Sequence, residues 1–130
     1  MRLKHFSLLV GSQIFKCFSD ESRVRIVHLL YQNNKMCPSD LELVLDFTQT
    51  KISRHLVYLK NAGLLQTIKI DQWIFYTLKE EVSDIVQQLL RYLSKDAVLL
   101  KDQEIYQILY SNRELAINKI DARKWRRNNA

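Results

Sequence analysis

Glycine, proline and cysteine are scarce in this chain, with two, one and two residues respectively in 130. So few chain breakers argue for a mostly helical protein with few long loops. Two cysteines in a chain of this length make no disulfide framework, which points to a reducing compartment, here read as the cytoplasm. No apolar run approaches the ~18–20 residues needed to span a bilayer. The opening MRLKHFSLLVGS has a basic flank but only a short apolar run, and it lacks the cleavage site of a secretory signal. Also missing are a Gly-rich phosphate loop, a His-Glu-x-x-His zinc motif and a Gly-x-Ser-x-Gly elbow. The acidic residues are scattered without a pairing that suggests acid–base work. The expectation is a chain that is not an enzyme, needs no cofactor and has no membrane partner.

What is present is ordinary globular composition, 47% hydrophobic and 26% charged, at a length suited to one domain with a real core. The formal net charge of +6 favours an anionic partner, and nucleic acid is the commonest.

The chemistry concentrates in Thr48–Leu65, TQTKISRHLVYLKNAGLL. Ile52, Leu56 and Leu59 recur at the spacing of one helix face, while Thr50, Lys51, Arg54, Tyr58 and Asn61 fall opposite. Thr48 offers a hydroxyl N-cap, and Gly63 a left-handed residue to end the helix. One side is committed to a core. The other carries the hydroxyls, amide and cations that read base edges and hold phosphates from a helix in the major groove. Upstream, Pro38–Phe47 reads as a short helix with Leu41, Val44 and Leu45 on one stripe, followed by a tight turn near Asp46. Two such helices make a helix-turn-helix. Downstream, Leu65–Ile70 and Trp73–Leu78 are strand-like runs separated by Asp71 and Gln72, a hairpin-sized gap. The conjunction is a winged helix-turn-helix, mainly α with a small β-hairpin.

These residues carry a family resemblance. Ser53-Arg54-His55-Leu56, with Leu59 and Ala62-Gly63-Leu64-Leu65, resembles the arsenic-repressor (ArsR/SmtB) family of bacterial winged-helix regulators. So does the run from Phe15 to Ile26, FKCFSDESRVRI. The similarity covers roughly residues 13 to 80. It implies a dimeric repressor that binds double-stranded DNA at an inverted-repeat operator. The DNA-contacting residues expected on this basis are Gln49, Thr50, Lys51, Ser53 and Arg54, with Lys69 from the wing.

Three departures from the family pattern stand out. The turn of the helix-turn-helix has Asp46 where glycine is usual, and Asp tolerates a left-handed conformation better than most residues. The wing tip, Lys69-Ile70-Asp71-Gln72-Trp73, has Lys69 as its only cation, so it is a poor phosphate clamp. Metal-sensing relatives have Cys-x-Cys-Asp where this chain has Cys37-Pro38-Ser39-Asp40, one thiolate short for a thiophilic ion. The family's other metal site uses acidic residues and histidines of a C-terminal helix, and Lys79–Lys95 has no histidine. No metal site is expected. His28 is expected at the surface, His55 as a packing residue, and His5 stands alone near the terminus.

Cys17 and Cys37 remain the only groups that could make a thiol sensor. Cys37 precedes Pro38 at a helix start, where unpaired N–H groups stabilise a thiolate. Two readings stay open: small hydrophobes of the core, or thiols that bridge or take up sulfur or a thiophilic ion. The remaining chain reads as helices over residues 3–16, from the Asp20 cap to about Tyr31, over Lys79–Lys95 and over Leu99–Ile120, with a polar break at Gln32–Lys35. The first helix and the Lys79–Ile120 region together offer more apolar surface than a small winged-helix core can cover, which suggests N- and C-terminal dimerisation helices. One domain spans 1–122. A basic tail, 123–130, follows, read either as a solubilising end or as extra phosphate contact. A second functional class stays in view, a non-catalytic winged-helix module that binds protein or RNA.

Overall fold

In the computed structural model, residues 6–120 are described; the expectations for Leu3, His5 and the tail at 123–130 lie outside them. The main elements run in the order α1 (Leu8–Cys17), α2 (Glu21–Asn33), β1 (Lys35–Met36), α3 (Pro38–Leu45), α4 (Gln49–Asn61), β2 (Leu65–Ile70), β3 (Trp73–Leu78), α5 (Ser83–Arg91) and α6 (Ala97–Ser111). This is the helix-turn-helix and wing read from the sequence, with helices added at both ends.

Local chemistry sets the boundaries. Ser7, Asp20, Thr48 and Asp96 each accept backbone N–H bonds at the start of α1, α2, α4 and α6. Each such cap stabilises its helix by ~1 kcal/mol. Helix α4 closes in a Schellman motif: Gly63, at φ +88°, donates its N–H to Lys60, and Leu64 donates to the carbonyl of Leu59. Gly63 is used here because side chains with a Cβ resist that φ. Asp46 takes the left-handed conformation (φ 56°, ψ 42°) at the end of α3, as its identity suggested.

The core is formed where these elements meet. Ile52, Leu56 and Leu59 of α4 are fully buried against Ile26, Leu29 and Leu30 of α2 and Leu41 and Val44 of α3 in one continuous cluster. Each such side chain contributes roughly 1.5–3 kcal/mol by leaving water. The sheet has the order β1-β3-β2, all antiparallel, with Ile70 facing Trp73 across the two-residue turn. Strand β1 pairs Lys35 with Thr77 and Met36 with Tyr76. It begins at Lys35, the last residue of the expected polar break, and two residues are too few to show a period of two.

The C-terminal half differs from expectation in two places. Lys79–Lys95 is a short 3₁₀ turn (Glu80–Val82) leading into α5, which ends at Arg91. Leu99–Ile120 is not one helix. Arg113 adopts φ 58°, Glu114 donates to the carbonyl of Leu109, and the helix stops; residues 116–120 then form a separate helical turn. Apolar periodicity runs straight through this break because the left-handed position is held by arginine rather than glycine. The restart is capped from a distance. The buried carboxylate of Asp40 accepts the N–H groups of Ala116 at 2.7 Å and Ile117 at 3.2 Å. Burial pushes the Asp40 carboxyl above its ordinary value, and those two backbone bonds pull it back only in part.

His28 also departs from expectation. It is buried, one of five consecutive buried residues from Ile26 to Leu30, because α2 is covered by α5 and α6 as well as by the helix-turn-helix. Its Nδ1 has no hydrogen-bond partner.

Candidate nucleic-acid interface

The polar face of α4 is assembled by the same periodicity that buries its other side. Gln49, Thr50, Ser53, Arg54 and Tyr58 are exposed, while Ile52, His55, Leu56 and Leu59 are buried. The N-terminal turn of α4 therefore presents an amide, two hydroxyls and a guanidinium to solvent over a rigid apolar base. The Thr48 hydroxyl accepts the N–H of Lys51 at 3.2 Å, which fixes where the helix begins. Orphan N–H groups at such a helix start favour a phosphate.

Lys51 is placed differently from its neighbours. It is half-buried, and its ammonium lies 3.8 Å from the centre of the Phe47 ring. The Arg25 guanidinium lies 5.1 Å from the centre of the same ring. Arg23 reaches α4 as well: it sits over the Tyr58 ring at 4.2 Å and donates to the carbonyls of Lys16 and Cys17 at the end of α1. Arg23 thus ties α4 to the end of α1, and Arg25 packs against the turn that leads into α4. An i+2 pair of arginines in an apolar helix gives no sequence signal for this.

Lys69 is exposed on β2, opposite Ile74 of β3. The structure brings Gln49, Thr50, Ser53 and Arg54 together at one end of α4 and puts Lys69 apart from them, on the wing. His55 is buried beneath the recognition face, and desolvation lowers its pKa, in keeping with a packing role.

The thiols stand elsewhere. Cys17 and Cys37 are both free and both buried. Burial pushes each thiol above its ordinary value. For Cys37 at the start of α3, burial acts against the thiolate that the helix position alone would favour. Desolvation outweighs the backbone N–H groups, and the nearby Asp40 adds an unfavourable charge. The Cys37 sulfur instead lies 3.2 Å from the Ser39 hydroxyl. One buried thiol beside a hydroxyl is a poor donor set for a thiophilic ion. Among the described residues, no three of His, Cys, Asp and Glu are grouped to hold a metal. No helix there is long and apolar enough to cross a membrane.

Comparison with known proteins agrees with this geometry. Residues 20–67 match the family model described as bacterial regulatory protein, arsR family. An arsenic resistance transcriptional regulator of Pseudomonas putida is 35% identical over 103 residues, 73% of this chain and 80% of the relative. The arsenical resistance operon repressor of Escherichia coli is 42% identical over 76 residues, 58% of this chain and 65% of the relative. Among solved structures, the homodimeric winged helix-turn-helix DNA-binding domain of Mb0332 from Mycobacterium bovis superposes with a TM-score of 0.60 at 18% identity. That match covers 66% of this chain and 80% of the other and supports the fold.

Proposed function

Because this chain belongs to the arsR family of bacterial regulatory proteins, a family of transcriptional regulators, we propose that it is a homodimeric repressor that reads an inverted-repeat operator with α4. The observation that carries the reading is the exposed cluster of Gln49, Thr50, Ser53 and Arg54 at the capped start of α4, set on a fully buried apolar face. Such a cluster can enter a major groove without disturbing the core. Arg54 has the reach and fork geometry to pair with a guanine edge, and Gln49 with an adenine. Lys51 and Lys69 supply phosphate contacts on either side. The protein would act in the cytoplasm, where the DNA is.

Dimerisation is supported by the apolar side chains left at the surface of the terminal elements. Leu8 is 90% exposed and Tyr92 89%, and Leu9, Phe15, Val98 and Leu100 are also exposed. Large apolar side chains left exposed in this number on the terminal helices favour association. A two-fold interface there would set two copies of α4 about 34 Å apart, facing successive major grooves. The arsenic named for the relatives is not carried over, since Cys37 and Cys17 supply only buried, neutral thiols.

The test is a titration of the dimer on duplex DNA from upstream of its own gene, at several salt concentrations. Specific binding with a steep salt dependence is expected. Binding that ignores salt, or a monomer by sedimentation at micromolar concentration, would sink the proposal.

A further inference from the structure

We propose that Lys119, which lies far from the wing in sequence, contacts DNA phosphate as part of it, so that the hairpin tip offers a cation on each face. The inference rests on the DNA-binding reading above. Residues 65–78, the whole wing, contain one cation, Lys69, and one acid, Asp71. A hairpin so nearly neutral holds phosphate weakly by itself.

The register of the hairpin fixes which way its residues face. Cross-strand partners share a face, and successive residues alternate. Lys69 pairs with Ile74, and both are exposed. Ile68 pairs with Phe75 and Ile70 with Trp73, so Trp73 lies on the other face, the one that buries Phe75. Trp73 is the first residue of β3 after the turn, and the Lys119 ammonium lies 5.4 Å from the centre of its ring. Lys69 and Lys119 are both exposed, and they flank the tip from opposite faces.

The backbone beneath Lys119 is fixed by the helix-turn-helix itself. The Asp40 carboxylate of α3 accepts the Ala116 and Ile117 N–H groups, and Leu115, Ala116, Ile117 and Ile120 are buried in the main core. The Lys119 charge also favours the Asp40 carboxylate. That group is buried, however, with one oxygen on each of the two backbone bonds, whereas Lys119 is exposed. An ammonium resting on an indole keeps N–H groups for a further acceptor. The acceptor that fits is a phosphate oxygen of a duplex DNA backbone running past the wing tip, between Lys69 on one side and Lys119 on the other. As a point charge, Lys119 would hold phosphate without regard to base sequence.

The experiment compares the unaltered full chain with Lys119→Ala, Lys119→Arg and Lys101→Ala, the last removing an exposed cation of α6 as a control. Each is titrated on duplex DNA from upstream of the protein's own gene at several salt concentrations. Contacted phosphates are mapped by ethylation interference, and urea denaturation measures folding. Lys119→Ala is expected to bind roughly tenfold more weakly at about 0.1 M salt, with the salt slope reduced by about 0.9 for each phosphate released. Interference should vanish at phosphates flanking those touched by α4 and stay elsewhere. Lys119→Arg and Lys101→Ala should keep slope and footprint. An unchanged slope in Lys119→Ala, whatever its stability in urea, would make the Trp73 contact purely structural and overturn the inference while leaving the regulator reading intact. Loss of slope in Lys119→Arg or Lys101→Ala as well would show a general change in place of a phosphate contact, and would also overturn it. A wild type that binds duplex DNA without salt dependence would overturn both.

Discussion

Arg25 and Asp102, 77 residues apart in sequence, form a two-bond ion pair in which Nε meets Oδ2 and Nη2 meets Oδ1, each at 2.9 Å. The pair joins α2 to α6, and so ties the helix under the recognition face to one of the helices that carry exposed apolar surface. The Asp102 side chain is 3% exposed, and Arg25 is the ion-pair partner that meets it there. The Arg25 guanidinium is in turn held above its ordinary pKa by its hydrogen bonds to Asp102.

The first prediction concerns that asymmetry. Arg25→Ala leaves a buried carboxylate without its partner and should cost roughly 3–5 kcal/mol. Replacing both residues by apolar ones of similar size, R25M/D102L, should cost much less. Urea denaturation of the three proteins decides the matter. A double variant as unstable as Arg25→Ala would show that the pair itself stabilises the fold.

Two cations of α4 should behave differently. Arg54 is exposed at the reading end of the helix. Arg54→Ala is expected to cost ~1–3 kcal/mol of binding per half-site and to relax sequence preference there. Lys51→Ala should weaken all sequences alike and lower the salt slope by about one per phosphate. It should also reduce folding stability by about 0.5–1 kcal/mol, because the Lys51 ammonium rests on the Phe47 ring. Gln72→Ala, at the wing tip, should change little. If neither Arg54 nor Lys51 affects binding, α4 is not the reading helix.

A third prediction follows from the burial of the thiols. With Cys17 and Cys37 both buried and both pushed toward the thiol form, native protein should resist alkylation at neutral pH and react only on unfolding. Oxidant should leave DNA affinity unchanged in the wild type and in Cys37→Ser alike. Loss of binding on oxidation in the wild type, spared in Cys37→Ser, would restore the thiol switch.

Most of the architecture could be read from sequence because it is written in short-range chemistry. The Thr48 cap, the Gly63 stop, the Pro38 helix start and the strand-like runs flanking Asp71-Gln72 are local and need no knowledge of neighbours. The remainder is set by distant partners. The break before residue 116 is stabilised by Asp40, which is 76 positions away. Met36 joins a sheet only because Tyr76 lies beside it. Arg23 and Arg25 look like ordinary surface cations until Tyr58, Phe47 and Asp102 are in place. Of the interface, the exposed residues of α4 follow from periodicity alone. The surroundings of Cys37 do not, because helix position and burial act on its thiol in opposite directions and the burial is set by distant parts of the chain.

His28 gives the last prediction. Burial lowers its pKa from the ordinary 6.5, outweighing Asp102 and Asp96, which favour the charged form. The unfolded chain therefore takes up a proton near pH 6.5, while the folded protein takes it up only at lower pH. Stability is full above the unfolded value and is lost as pH falls through 6.5 toward the folded value. His55, also lowered by burial, adds in the same direction. Substituting His28→Leu removes one of these two contributions and also the unpartnered Nδ1, an atom that costs roughly 1–3 kcal/mol when left buried without a bond. The variant should match or exceed the wild type in stability at about pH 7.5. It should also lose less stability on going to about pH 5.5. Urea denaturation at the two values measures both effects. Equal losses in variant and wild type would show that His28 keeps the same pKa in the folded and unfolded chain, and that its Nδ1 is reached by solvent.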